Sequence, residues 1–308
     1  MNILIFGAGV QGQHLAHALN KPENNITIFA RGKTYERLKN RGIVLHHYLQ
    51  RKDTVDEFNY IEELKESDAY DIIFVTMKYS HYYSIIPTLA NNISQNIVFV
   101  GNNSNPRKLR QTILEQTQIP KNIAFGFSIS GGIREDNVTN ILRFNAGELK
   151  VSYLDGGLPF RDKLNQVFSN LPIKLTYTSN FESWLMSHAA MVTPMNMGIF
   201  LKDQYKGNQS VLINDVIRAT NELHMLLEHS GYQIIPRSQK ILFKNFKFLA
   251  RPLLKLSINM NLLSQIPNAS GFTELEAIYD DMKALNKHTA LTTPKLDKLM
   301  KQLQATFK

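Results

Sequence analysis

Met1-Asn-Ile-Leu-Ile-Phe-Gly7-Ala-Gly9-Val-Gln-Gly12-Gln-His-Leu-Ala-His-Ala-Leu19 reads as a buried strand, a glycine turn and a helix. Asn2 to Phe6 is a short apolar run that stops at glycine, the pattern of a central strand in a parallel sheet covered on both faces. Leu15, Ala16 and Leu19 then recur at helical spacing, so the glycines sit at the strand-to-helix junction. There each has its own reason. Gly7 permits the tight turn, Gly9 lets backbone approach a pyrophosphate with no Cβ in the way, and Gly12 lets the helix pack closely on the strand. The free N–H groups and the positive dipole end of the helix face the phosphates. A second strand, Ile26-Thr-Ile-Phe-Ala30, begins one helix length later, so the context that separates a dinucleotide cradle from a simple turn is met. The expected cofactor contacts are Gly7, Ala8, Gly9, Val10, Gln11 and Gly12.

The end of the second strand refines the cofactor. A site that prefers NAD places Asp or Glu there to hold the ribose 2'-hydroxyl. This chain has Ala30-Arg31-Gly32-Lys33, with a guanidinium that can fork onto a 2'-phosphate and a lysine beside it. NADP(H) is the expected cofactor and Arg31 its phosphate contact.

At 308 residues, 43% hydrophobic and 20% charged, the chain has the composition of an ordinary soluble protein with room for two cores. The absence of cysteine excludes disulfides, thiolate metal ligands and a cysteine nucleophile. No metal site is expected. A strand starting at residue 2 leaves no space for a signal peptide and no apolar run is long enough to span a bilayer, so the expected location is cytoplasmic. The net charge of +9 is concentrated: no acid occurs from Arg237 to Thr273, while Arg237, Lys240, Lys244, Lys247, Arg251 and Lys255 recur at steps of three or four. This predicts a basic helix that Pro252 interrupts, with Ile241, Phe248 and Leu249 elsewhere on it. A solvated face is the expected use, ahead of an anionic partner, a membrane surface or steering of an anionic substrate. Neither nucleic acid nor membrane is expected as a partner.

Along the chain, a helix around Tyr35 to Arg41, a strand at Ile43 to Leu45, a peripheral charged segment from Arg51 to Ser67, and strands at Asp71 to Thr76 and Asn96 to Val100 continue the alternation. That alternation argues for a Rossmann-type, doubly wound parallel sheet. Ligands in such sheets bind at the carboxyl ends of strands, where Lys78 follows one strand and Gly101-Asn102-Asn103 closes another. Lys78 is a candidate for a phosphate or carboxylate, Asn102 for a ribose or substrate oxygen. Further strands are read at Ile123 to Phe127, Asn140 to Phe144, Leu149 to Tyr153 and Ile173 to Tyr177, with Ser130-Gly131-Gly132-Ile-Arg134 as a flexible turn and a helix from Phe160 to Leu171. From Asn180 the pattern is helical: Trp184, His188, Met191 and Met195 share a face that Pro194 kinks or ends, Val211 to Ser230 is a second long helix, Thr273-Glu274-Leu275-Glu276 fits a capping box, and Lys295 to Phe307 ends the chain. The expected α/β architecture is thus a nucleotide-binding domain over residues 1–178 and an all-α domain, for substrate and dimerisation, over residues 179–308.

These features together resemble the ketopantoate reductase (2-dehydropantoate 2-reductase) family: Gly7 to Gly12, Ala30-Arg31-Gly32, Lys78, Gly101-Asn102-Asn103 and Thr273-Glu274 match in order, and Trp184-Leu185-Met186-Ser187-His188 is similar to the Trp-Leu-Lys-x-His opening of divergent members. The resemblance implies an oxidoreductase that reduces a small anionic 2-oxo acid, ketopantoate or a relative of it, with NADPH, as in pantothenate biosynthesis. It implies cofactor contacts at Arg31, Lys78, Asn102 and Glu274, with Asn102 also near substrate. A homodimer is the assembly allowed for. The family's proton-donating lysine and the asparagines that follow it fall here on Leu185 or Met186, Ala189 or Ala190, and Thr193 or Pro194. The next lysine, Lys202, lies four turns past His188, roughly 20 Å along a helix. His188, with an unperturbed pKa near 6.5, and Lys78 are the candidate replacements as catalytic acid. The alternative is a protein that kept NADP(H) binding and lost the chemistry.

Overall fold

The computed structural model describes residues 1–135, 137–259, 269–286 and 291–307. Its strands, in chain order, are β1 (Asn2–Phe6), β2 (Asn25–Phe29), β3 (Ile43–His47), β4 (Lys52–Asp56), β5 (Asn59–Ile61), β6 (Ile72–Val75), β7 (Asn96–Val100), β8 (Asn122–Ser128), β9 (Gly131–Arg134), β10 (Thr139–Leu142), β11 (Glu148–Ser152) and β12 (Lys174–Tyr177). The helices are α1 (Val10–Ala18), α2 (Lys33–Arg41), α3 (Ile86–Asn91), α4 (Pro106–Gln116), α5 (Arg161–Phe168), α6 (Phe181–Leu201), α7 (Gln209–His229), α8 (Arg237–Lys244), α9 (Lys247–Asn259), α10 (Ala269–Leu285) and α11 (Pro294–Phe307). The chain divides into two compact units, residues 1–101 with 106–181, and residues 102–105 with 182–308.

In the first unit an eight-stranded sheet runs β12-β11-β8-β7-β6-β1-β2-β5. Strands β5 through β8 in that row are parallel, and β11 turns antiparallel to β8. Ile3 to Phe6 of β1 are buried, as their unbroken apolar run requires of a central strand, and Phe6 stacks on Phe29 of β2. The chain leaves β1 outward through β2 and returns to its other side at β6. The carboxyl ends of β1 and β6 are therefore the switch point of the sheet, the place where such folds bind ligands.

A second, four-stranded sheet, β4-β3-β10-β9, covers α1. It corrects two readings. The charged segment after Arg51 contributes β4 to this sheet and β5 to the edge of the large one, and Gly131–Arg134 is not a flexible turn but a strand paired antiparallel with β10. Gly132 is there for packing: a Cβ on it would lie 2.1 Å from the Asn140 carbonyl oxygen. The seam between α1 and this sheet is polar and closed, with Gln13 accepting from Thr139 at 2.9 Å, His14 Nδ1 3.1 Å from Ser130 Oγ, and His17 2.7 Å from Asp56.

The second unit is helical. Pro194 does not end α6, which runs through it to Leu201. Pro252 likewise lies inside α9, and the break in the basic segment falls earlier, where Asn245 and Phe246 both donate to the Ile241 carbonyl and close α8. Thr273 does not open a capping box, because α10 has already begun at Ala269 and the Thr273 hydroxyl donates back to the Ala269 carbonyl at 2.9 Å. Asp215, buried on α7, ties down α11 through Lys295 at 2.8 Å and Lys298 at 2.6 Å. Among the described residues no helix is long and apolar enough to cross a membrane.

Candidate functional site

The glycine turn behaves as three different positions. Gly7 has φ +125°, open to glycine and strained for other residues, and its carbonyl accepts from the Thr76 hydroxyl at 2.8 Å, tying the end of β6 to the end of β1. Gly12 is sealed: a Cβ there would lie 1.9 Å from the Gly7 carbonyl oxygen. A Cβ on Gly9 would meet nothing within 4 Å. Gly9 is also the N-cap of α1 and supplies no side-chain cap, so no side chain at that position competes for the first N–H groups of the helix. Gln11 is held by Ser130, donating to its carbonyl at 2.7 Å and accepting from its hydroxyl at 2.9 Å; Ala8 is buried, and Val10 packs near Gly132. What this turn offers a ligand is backbone, which is what a diphosphate needs.

At the end of β2, Arg31 is exposed, its guanidinium 5.8 Å from the Phe29 ring centroid. Two further guanidiniums that the sequence did not mark, on α2 and β9, influence one another. Arg134, from β9, donates to the Ala8 carbonyl at 3.4 Å and to the Thr34 hydroxyl at 3.5 Å. Arg37, one turn beyond Thr34 on α2, has a buried Nη2 with no hydrogen-bond partner. Desolvation, then the neighbouring Arg134 charge, depress the Arg37 pKa. Two mutually repelling cations, one with an orphaned donor, form an arrangement that an anion would relieve. A carboxylate is present as well: Glu62, just past β5, accepts from the Gly32 N–H at 3.1 Å. Gly32 has φ +54°, the left-handed region that a side chain would strain.

Lys78 follows β6 at the same switch point, partly buried, as the N-cap of a short 3-10 turn. Asn102 and Glu274, separated by 172 positions, meet within the helical unit: Asn102 Nδ2 donates to Glu274 Oε1 at 3.5 Å, and Glu274 is buried. Asn102 Oδ1 and Asn103 Nδ2 are buried without a partner, while the next residue, Ser104, donates to Asp281 at 2.6 Å. This short segment thus presents an unused acceptor and an unused donor.

On α6 the positions where the family carries its lysine and asparagines are sealed: Leu185, Met186, Ala189, Ala190, Thr193 and Pro194 are all buried. His188 stacks on Trp184 at 5.4 Å on the wall of a cavity of about 550 Å³ that Met191, Pro236, Gln239 and Phe243 also line. Desolvation by these walls lowers the His188 pKa to about 4. That depression favours the neutral imidazole, which can donate an N–H but holds no extra proton. Gln239 is fixed by donating to the Ser187 carbonyl at 2.7 Å and meeting His224 at 2.9 Å. The helix also holds Asn196, a residue the sequence reading passed over, whose Oδ1 is buried without a partner. Among the described residues no cluster of three His, Cys, Asp or Glu side chains is arranged to hold a metal ion.

Comparison with known proteins gives a family and a fold. The family model described as Ketopantoate reductase PanE/ApbA matches residues 3–156. No curated protein matches the chain by sequence. Among solved structures it is similar to a probable 2-dehydropantoate 2-reductase from Bacillus subtilis, at 17% identity over 99% of both chains with a TM-score of 0.71. It is also similar to D-mandelate dehydrogenase in a ternary structure with NADH and anilino(oxo)acetate, at 15% identity over 100% of this chain and 98% of that one, with a TM-score of 0.75. A dimeric ketopantoate reductase from Staphylococcus aureus aligns at 13% identity over 100% and 99% of the two chains, with a TM-score of 0.67. At these identities the structures establish the fold.

Proposed function

The chain belongs to the ketopantoate reductase family, and on that premise we propose that it is an NADP(H)-dependent reductase of a small 2-oxo acid. The observation that carries the reading is the glycine turn, open at Gly9 and sealed at Gly12, with the Arg134 guanidinium donating to the Ala8 carbonyl within it and the Arg37 charge close enough to feel that of Arg134. These residues fit a phosphorylated dinucleotide. The backbone from Gly7 to Gly12 cradles the diphosphate at the positive end of α1, and the exposed Arg31, with Arg134 as the second cation, reads the 2'-phosphate. The carboxylate of Glu62 is already engaged by a backbone N–H, which favours the arginines as the readers of that end. The cofactor supplies a hydride when bound.

The chain's own task is then to hold the oxo acid and to protonate the alkoxide as it forms. We assign the proton to the ammonium of Lys78, since burial disfavours the charged form of His188. A neutral imidazole can still donate its N–H to a carbonyl oxygen and polarise it. The family resemblance supports Asn102 and Glu274 as cofactor contacts, with Asn102 also near substrate. The neighbour bound to NADH and anilino(oxo)acetate supports a 2-oxo acid as the substrate class.

A second reading, a cofactor-binding protein without turnover, is favoured by one observation: the lysine and asparagine positions of the family are apolar or small here and buried. Titration with NADPH and NADH, followed by NADPH oxidation against a panel of 2-oxo acids that includes ketopantoate, separates the two. Turnover of any acid, lost in Lys78→Met and reduced in His188→Ala, supports the reductase; tight NADPH binding without turnover supports the second reading; failure to bind either cofactor removes both. Arg134→Ala is expected to weaken NADPH about tenfold or more while leaving NADH within about threefold, since a charge-assisted bond to phosphate contributes about 1.5–3 kcal/mol.

A further inference from the structure

Helices α8 and α9 bury one side only. On α9 the buried residues are Ala250, Leu254 and Ile258, a strict four-residue stripe, and on α8 they are Gln239 and Phe243. The outward arc is apolar, not polar: Phe248 is 66% exposed, Leu256 57% and Leu253 54%. Ile241, Phe246 and Leu249 extend the same exposed strip. Lys247, Arg251 and Lys255, also at four-residue steps, flank it on one side, with Lys244 exposed at the end of α8. A solvated helix face does not account for this, because water gains nothing from the phenylalanine and the leucines.

The occupant is set by charge. No acidic residue lies between Arg237 and Thr273, so a two-fold contact of this face with its own copy would bring cations against cations. Nucleic acid would satisfy the cations and leave the apolar arc in water. A bilayer with anionic headgroups satisfies both at once, phosphates meeting the ammonium and guanidinium groups while the aromatic and aliphatic side chains enter the headgroup boundary. We propose that the outward face of α8 and α9 is a peripheral docking surface for an anionic lipid bilayer, anchored by Phe248, Leu253 and Leu256 and oriented by Lys247, Arg251 and Lys255. The contact lies on the surface and needs no spanning helix.

The test uses the full chain and sedimentation with large unilamellar vesicles, either of phosphatidylcholine alone or with phosphatidylglycerol added. The expected result is binding to the anionic vesicles at low salt, at least tenfold weaker on phosphatidylcholine. Phe248→Ser, Leu253→Ser and Leu256→Ser combined, and separately Lys247→Glu, Arg251→Glu and Lys255→Glu combined, are each expected to weaken it at least tenfold with the circular dichroism spectrum unchanged. All six side chains are exposed, so neither set removes core. Ile241, Phe246 and Leu249 are left in place because they also line the cavity beside His188. Absence of binding to anionic vesicles overturns the proposal. So does binding that the serine set leaves intact, which would mark a general polyanion surface. A dimer in sedimentation velocity that the serine set converts to monomer would also overturn it, assigning the face to a second copy.

Discussion

Two glycines three residues apart make opposite demands. At Gly9 the space a methyl group would fill is empty and φ is −75°, a conformation any residue adopts. Gly9→Ala is therefore expected to fold with an unchanged melting temperature and to lose NADPH affinity by tenfold or more, read by fluorescence titration. Gly12→Ala drives a methyl into the Gly7 carbonyl, and overpacking of that kind costs about 1–3 kcal/mol. Its melting temperature should fall with or without cofactor. If both variants behaved alike, the turn would be structural and the cofactor reading would lose its main support. Met186 is the other residue with a clear expectation. It is 1% exposed, so Met186→Lys places an ammonium in the core of the helical unit. We expect a melting temperature lower by about 5 °C or more and no gain of ketopantoate turnover; a stable, active variant would mean that this helix face opens to substrate.

At the scale of elements, the seam between α1 and the small sheet is where pH acts. His14 is buried with its Nε2 unpartnered, and desolvation, then the Arg143 charge, bring its pKa down to about 3. His47, on β3 beside Arg143, is lowered to about 4, again chiefly by desolvation. Both folded values lie below the unfolded value near 6.5, so the unfolded chain takes up protons first as pH falls. Stability is complete above pH 6.5 and is lost from there toward pH 3, at up to about 1.4 kcal/mol per pH unit from His14 alone. Urea midpoints at pH 7 and pH 4.5 should differ accordingly, and His14→Gln should shrink the difference; an unchanged slope would place the acid sensitivity elsewhere. The same seam marks what was legible in the chain and what was not. The run from Asn2 to Phe6 and the glycine spacing have a single physical reading, because period, burial and turn chemistry agree. Strands β4 and β9 do not, since Lys52-Asp-Thr-Val-Asp56 is nearly all polar and Gly131-Gly132 resembles a turn until its partner β10 is present. Arg134 stayed hidden for that reason: only the pairing of β9 carries it back to the carbonyl of Ala8. Arg37 could have been found, as the next arginine on the helix that follows Arg31.

For the whole molecule, the most telling feature is the segment Asn102–Asn105, which belongs to the helical unit although Gly101 and Pro106 on either side belong to the other. Its side chains reach α10 through Asn102 to Glu274 and Ser104 to Asp281. A fragment starting at Glu182 would lack both partners, and we expect its α10 amides to exchange with deuterium faster than in the full chain. Equal protection would show that the helical unit is complete without the four residues. The family resemblance marked Asn102 and Glu274 one by one as cofactor contacts, and their contact with each other was not legible, because no local pattern links positions so far apart. The segment has an evolutionary corollary. A gene rearranged at the codon for residue 181 would deliver the helices without a part of their own structure, so exchange of that half between relatives is expected to succeed when the donor and the recipient already agree on four residues written 76 to 79 codons upstream.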